Sequence, residues 1–132
     1  MTPITPNTLA QFLRRYHFPG GRIRAVKVSR RAATGVTVEF RLAVREALRD
    51  LGTTPKPVRL TVRLSGVEEY RFQMRPSQPK VKIADARVSH LNGLFYLNLD
   101  AWGLEPSEQP QVFDYRASEV FAAGRELAWD VK

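Results

Sequence analysis

Twice in this chain apolar and polar residues alternate strictly. Val36, Val38, Phe40 and Leu42 are separated by Thr37, Glu39 and Arg41, and Val58, Leu60, Val62 and Leu64 by Arg59, Thr61 and Arg63. Successive side chains of a strand point to opposite faces, so each run predicts a strand with one dry and one wet face. A chain built on such runs has to fold as a sheet with one face covered. Residues 22–30 have the same character, but Ile23 is out of phase with Val26 and Val28, which predicts a bulge near Ala25. Asn92-Gly93 stands between two further alternating segments. That pair favours a two-residue type I′ turn, which would set Val88 opposite Leu97, His90 opposite Phe95 and Ala86 opposite Leu99.

Helical spacing occurs at Leu9, Phe12, Leu13 and Tyr16, with Thr5 as N-cap and Pro6 at the first helical position. Phe18-Pro19-Gly20-Gly21 is expected to break that helix and redirect the chain. Val44, Ala47, Leu48 and Leu51 predict a second helix ending at Gly52. Two more hairpins are expected. One has a three-residue loop at Ser65-Gly66-Val67, aligning Val62 with Tyr70, Leu60 with Phe72 and Arg63 with Glu69. The other turns within 122–125 and returns through Leu127, Trp129 and Val131. Residues 100–110 have no period and read as a surface excursion.

Strands joined by short turns favour antiparallel pairing over a parallel sheet. The expected fold is α+β: an antiparallel meander of about seven or eight strands, strongly curved or nearly closed like a barrel, with a short N-terminal helix packed on it. At 132 residues, 43% hydrophobic and 26% charged, the chain suits one domain over 1–132. It has no cysteine, which removes disulfides and thiolate metal sites from consideration. Met1-Thr-Pro-Ile-Thr-Pro6 lacks the basic start and apolar stretch of a signal peptide, and no run has the length of a membrane span. The expectation is a soluble cytoplasmic protein without a membrane partner.

Charge is the feature that speaks about partners. The chain has 21 Lys+Arg against 13 Asp+Glu, a net charge of +8, divided as 18 against 6 before Leu91 and 3 against 7 from Leu91 onward. Strand alternation turns Arg22, Arg24, Lys27, Arg41, Arg59, Arg63, Arg71 and Arg75 outward. A wet face with this composition attracts anions, unless Glu39, Glu68 and Glu69 neutralise it into an ordinary solvated surface. Arg41, Arg59, Arg63, Arg71 and Arg75 are the chief candidate binding residues. An acidic protein surface is the first partner this implies and nucleic acid the second, because Tyr70 and Phe72, the aromatics nearest these arginines, are expected toward the core rather than available for base stacking.

Catalytic groupings are not visible. Ser89 and His90 fall on opposite faces of their strand, which prevents an acyl-transfer dyad. His17, expected at a helix end beside the C-terminal dipole, and His90 have no metal-ligand spacing. Gly20-Gly21-Arg22 leads into a strand rather than the helix that a phosphate loop requires. Trp102 and Trp129 read as packing residues. A polar row of Asp85 opposite Asp100 and Arg87 opposite Asn98 would form a small binding site if the hairpin pairs that far; otherwise it ends short of the two aspartates. The sequence reading is therefore a non-enzymatic binding domain without metal or cofactor. An enzyme or small-ligand carrier inside the curved sheet ranks last, for want of convergent acid, base or metal-ligating groups.

The run Leu60-Thr-Val-Arg-Leu-Ser-Gly-Val-Glu-Glu-Tyr-Arg-Phe72, the Phe18-Pro-Gly-Gly21 segment before it and Ala122-Ala-Gly-Arg-Glu-Leu-Ala-Trp129 after it resemble small bacterial domains of the immunity-protein type found near polymorphic toxins. The likeness lies in the order of strands and carries no site residues. It implies a non-enzymatic protein that blocks a toxin by surface binding. Such domains often use an acidic face, whereas the excess here is basic.

Overall fold

The two alternating runs lie side by side. In the computed structural model, which describes residues 1–33, 35–46, 56–72, 81–83, 85–100, 111–117 and 120–131, Val38 is opposite Leu64, Phe40 opposite Val62 and Leu42 opposite Leu60. All six side chains are buried. The elements in chain order are β1 (Thr2–Ile4), α1 (Leu9–Arg15), β2 (Tyr16–Arg31), β3 (Gly35–Glu46), β4 (Lys56–Phe72), β5 (Val81–Lys82), β6 (Arg87–Leu91), β7 (Leu94–Asn98), α2 (Val112–Arg116) and β8 (Val120–Val131). The strands form one antiparallel sheet in the order β5-β2-β3-β4-β8-β7-β6, with β1 paired to β8 beside this path. The expected antiparallel α+β architecture is the one observed, curved but not closed. The end strands β5 and β6 belong to one short stretch, 81–91, so this segment spans the gap between the two edges. One apolar cluster fills the concave side and joins Ile23 of β2, Phe40 of β3 and Leu64 of β4 to Phe95 and Leu97 of β7.

The turn at Asn92-Gly93 has φ of 54° and 81°, as a type I′ turn requires, and sets Val88 opposite Leu97 and His90 opposite Phe95. The bulge near Ala25 is also present: Ile23 pairs with Leu42 and Ala25 with Arg41, leaving Arg24 as the extra residue.

Neither of the other two expected hairpins forms. Strand β4 runs unbroken for 17 residues and β8 for 12, and they pair from Leu60 opposite Val131 to Phe72 opposite Val120. Val62 therefore faces Trp129, and Tyr70 faces Ala122. The glycines bend the strands instead of reversing them. Gly66 adopts φ of 60°, and between Val67 and Glu69 an extra residue enters β4 opposite Gly124 and Ala123. Gly124 sits so close to β4 that a Cβ there would lie 2.9 Å from the Ser65 carbonyl oxygen. Phe72 keeps its expected inward position, edge-on to Phe40 at 5.5 Å, but Tyr70 stacks on it with 47% of its surface exposed.

The N-terminal region differs in detail. Helix α1 begins after Thr8, and Thr5 belongs to the preceding turn, where its N–H donates to Thr8 Oγ1 at 2.9 Å. Tyr16 is already extended and starts β2, although its ring is buried with Phe12 as the helical spacing suggested. Residues 18–21 do not redirect the chain. They form an irregular stretch of β2 whose Gly20 N–H donates to the Ile83 carbonyl, while the Ile83 N–H donates to that of Gly21. Those two bonds hold β5 and its continuation to the sheet. Val44 lies in β3 opposite Val58 rather than in a helix, because its side chain continues the buried alternation of Phe40 and Leu42. The rest of that expected helix, and most of the 100–110 excursion with Trp102, fall outside the described residues.

Candidate functional site: a basic sheet face

The convex side of β5, β2, β3 and β4 is assembled row by row from the strand register. One row reads Lys82, Arg22, Ala43 and Arg59; the next Ala25, Arg41 and Thr61; the next Lys27, Glu39 and Arg63. Ile23, Phe40, Leu42, Leu60, Val62 and Leu64, which alternate with these positions, are buried, so alternation places the side chains named here outward. Position 24, the bulge residue, is exposed beside them.

Ion pairing divides this face. Glu39 accepts from Arg41 Nε at 3.4 Å and from Arg63 Nη2 at 3.2 Å, so one carboxylate is shared by two guanidinium groups. Among the described residues Arg22, Arg24, Lys27, Arg59 and Lys82 make no ion pair, which leaves the β2 side of the face strongly positive. Besides Glu39, the acidic groups of this face among the described residues lie toward β8, where Asp130 is opposite Thr61 and Glu126 opposite Ser65. Between Arg24, Arg41 and Arg59 lies a depression of about 320 Å³, bordered also by Ala25 and Thr61.

The candidate binding residues thus separate. Arg41, Arg59 and Arg63 share this face. Arg71 lies beyond the β4 bulge, where it donates to the Arg116 carbonyl of α2 at 3.0 Å. That part of the convex face is covered, since Tyr115 of α2 packs with Tyr96, Phe121 and Ala123. Arg116 closes the cover with a two-pronged contact to Glu69 at 2.9 and 3.0 Å, and that bond raises the pKa of its guanidinium further. Arg75 falls outside the described residues. The sequence reading had included Arg24 in the wet face but missed its convergence with Arg41 and Arg59, which depends on the bulge.

The expected polar row stops short of its ends. The β6–β7 ladder terminates at Arg87 opposite Asn98, so Ala86 does not pair with Leu99, nor Asp85 with Asp100. The reason is that the groups at and beyond this pair are engaged elsewhere. The Leu99 N–H donates to the Val120 carbonyl, and the Arg87 N–H to Asn98 Oδ1 at 3.2 Å. Asp85 accepts from the Ala86 N–H and lies 3.8 Å from Arg87, whereas Asp100 accepts from the Val120 N–H. These groups tie strands together rather than converge on a cavity.

Ser89 and His90 face opposite ways. Ser89 Oγ is 2.6 Å from the Tyr115 hydroxyl beneath α2, whereas His90 is exposed on the other side with its ring edge-on to Phe95. His17 follows the end of α1 inside β2, opposite Arg45, and not at a helix C-terminus. Among the described residues no three His, Cys, Asp or Glu side chains cluster as metal ligands would. Trp129 packs against Phe12 and Tyr16, and the Arg15 guanidinium lies 5.0 Å from the centre of its ring while bonding Glu46 at 3.2 Å.

Burial pushes the Tyr115 phenol up from 10.0 to about 12, against the opposing effect of its Ser89 hydrogen bond. Below the unfolded value both states keep the proton and the full stability is present. Between about pH 10 and 12 the unfolded chain releases it while the folded chain holds it, so stability falls as pH rises through that window. Replacing Tyr115 by phenylalanine should remove this contribution. Urea midpoints of parent and variant, compared near neutrality and across the alkaline window, should converge or cross by an amount on the order of 2 kcal/mol. Parallel alkaline losses in both proteins would contradict the buried, hydrogen-bonded phenol.

Compared with family models, curated proteins and solved structures, the chain matches none. No helix among the described residues is long and apolar enough to cross a membrane.

Proposed function

We propose that this chain is a non-catalytic binding domain whose convex β2–β3–β4 face receives an acidic protein surface. The observation that carries the reading is the set of outward cations Arg22, Arg24, Lys27 and Arg59, which have no ion-pair partner among the described residues while Arg41 and Arg63 share Glu39. Arg22, Lys27 and Arg59 stand at positions paired in register with β3, so less conformational entropy is lost on docking than for the same charges on a loop.

A protein partner suits this face better than nucleic acid. Tyr70, the exposed large aromatic of β4, is paired in register with Ala122 of the core and so lies on the concave side, away from the arginines. Base stacking needs aromatics interleaved with the cations. Glu39 in the middle of the patch and Asp130 at its margin would also repel an evenly spaced run of phosphates, whereas a protein surface can present carboxylates only where the cations are.

Titration with poly-L-glutamate and with a deoxythymidine oligomer matched in charge, each over a salt series, tests the choice. The glutamate polymer is expected to bind at least as tightly as the oligomer. An oligomer affinity tenfold higher, falling steeply with salt, would assign the face to nucleic acid instead.

A further inference from the structure

The depression at the β2 bulge has a more specific chemistry than the face around it. We infer that Arg24, Arg41 and Arg59 form a subsite for a single carboxylate of the partner, an inference that rests on the protein-binding reading above. Three arginines line the depression from three adjacent strands. Their meeting depends on the bulge. The ladder steps from Ile23 opposite Leu42 to Ala25 opposite Arg41, and the inserted Arg24 joins Arg41 at the edge of the depression. Arg59 stands one row away on β4, opposite Ala43.

Small side chains keep the centre open. Ala25 and Thr61 flank Arg41 in its own row, and Ala43 separates Arg22 from Arg59 in the next. Leu42 and Leu60 also border the space but send their side chains into the core. Thr61, another lining residue, is only 7% exposed. Of the three arginines only Arg41 has an ion-pair partner among the described residues, and Glu39 engages it through Nε, leaving the two terminal amino groups of that guanidinium outside the pair. Arg24 and Arg59 engage no carboxylate among the described residues.

Guanidinium forks present paired N–H donors that match the two oxygens of a carboxylate, and an anion between three like charges relieves their mutual repulsion. The nearby Asp130, opposite Thr61, weighs against a dianion such as a phosphate monoester more than against a singly charged carboxylate. The carboxylate can come from an Asp or Glu side chain or from a free chain terminus, since both offer the same pair of oxygens.

The probes are an N-acetylated, C-terminally amidated hexaglutamate, and an N-acetylated Gly-Ser peptide with a free C-terminus. Each is titrated into the full chain at low salt while the arginine Nε–Hε resonances are followed by NMR. Signals of Arg24, Arg41 and Arg59 should move together and saturate with one midpoint, ahead of those of Arg30 and Arg31 at the far end of β2. Which peptide does this identifies the source of the carboxylate. The variants Arg24→Lys and Arg59→Lys keep the charge but lose the fork, and each should weaken the active peptide about tenfold, equivalent to losing one charge-assisted hydrogen bond. Both positions are exposed, so the thermal midpoint should stay that of the parent and report that the fold is intact. If the lysine variants bind like the parent while Arg24→Glu with Arg59→Glu weakens binding, the basic face stands and the subsite falls. If the double glutamate variant also binds like the parent, both fall.

Discussion

Replacing Gly124 by valine is expected to destabilise the fold by about 3 kcal/mol, a large part of what a single domain of this size has to lose. Gly124 lies in the middle of β8, facing Val67 at the place where β4 carries its extra residue. A Cβ there would meet the Ser65 carbonyl oxygen at 2.9 Å and the Leu64 Cβ at 3.2 Å, and the first of these belongs to backbone that is held in the ladder. The strands would have to part along a pairing that runs from Leu60 to Phe72 of β4. The position also separates two architectures. Had 122–125 been the turn of a hairpin, a side chain at 124 would extend into solvent at little cost. Urea unfolding provides the measurement: a fall in midpoint with an unchanged slope is expected, and a variant as stable as the parent would contradict the continuous β8. Gly93→Ala is the useful contrast. Its turn leaves open space around the added carbon, so only the positive φ of 81° opposes it, at a cost of about 1 kcal/mol.

That contrast explains what was legible in the chain. Alternation disclosed β3 and the first half of β4, because burial of one face is written locally every second residue. Asn92-Gly93 disclosed its hairpin for the same reason, since a type I′ turn and both strands it joins fit within 14 residues, 86–99. Gly66 and Gly124 were misread because a glycine inside an apolar run signals either a turn or a bulge, and the local sequence is alike in both cases. The partner strand decides, and these two glycines are 58 positions apart. Each permits the bend that the other strand shares.

The site followed the same division. Outward arginines could be named from alternation, and Arg41, Arg59 and Arg63 are where it put them. Their electrostatic state could not, because it depends on contacts across strands. Glu39 turned out to serve both Arg41 and Arg63, and α2 occupies the Arg71 end of the face through a residue 45 positions away. Arg24 gained its place from a bulge that the phase shift at Ile23 had foretold, but its neighbours in space come from β3 and β4. The expected aspartate pair failed because each carboxylate accepts from a nearby backbone N–H instead, Asp85 from that of Ala86 and Asp100 from that of Val120.

Reversal of Arg24 and Arg59 to glutamate is the change with the largest expected effect on binding. These two cations make no ion pair among the described residues, and each substitution replaces an attraction for an acidic surface by a repulsion. Exposed ion pairs are individually worth about 0–1 kcal/mol, but reversal counts both the attraction removed and the repulsion added at two neighbouring sites. A loss of about 2–3 kcal/mol, some thirty- to a hundredfold in affinity, is expected for poly-L-glutamate at low salt. Arg41 and Arg63 are less informative, since reversing either would set a new carboxylate against that of Glu39 and disturb the face itself.

Net charge alone would also weaken a polyanion, and a matched control separates the two causes. Arg14→Glu with Arg31→Glu changes the total charge equally, on exposed residues at α1 and the end of β2, outside the central patch. The most direct measurement is the affinity of poly-L-glutamate for the parent, the Arg24/Arg59 reversal and this control, side by side by isothermal titration calorimetry, with thermal midpoints confirming that all three are folded. The convex β2–β3–β4 face is supported if the first reversal loses at least tenfold more affinity than the control. Equal losses in the two variants would show that the polymer senses only the overall charge, and the face would then be no more than a solvated surface.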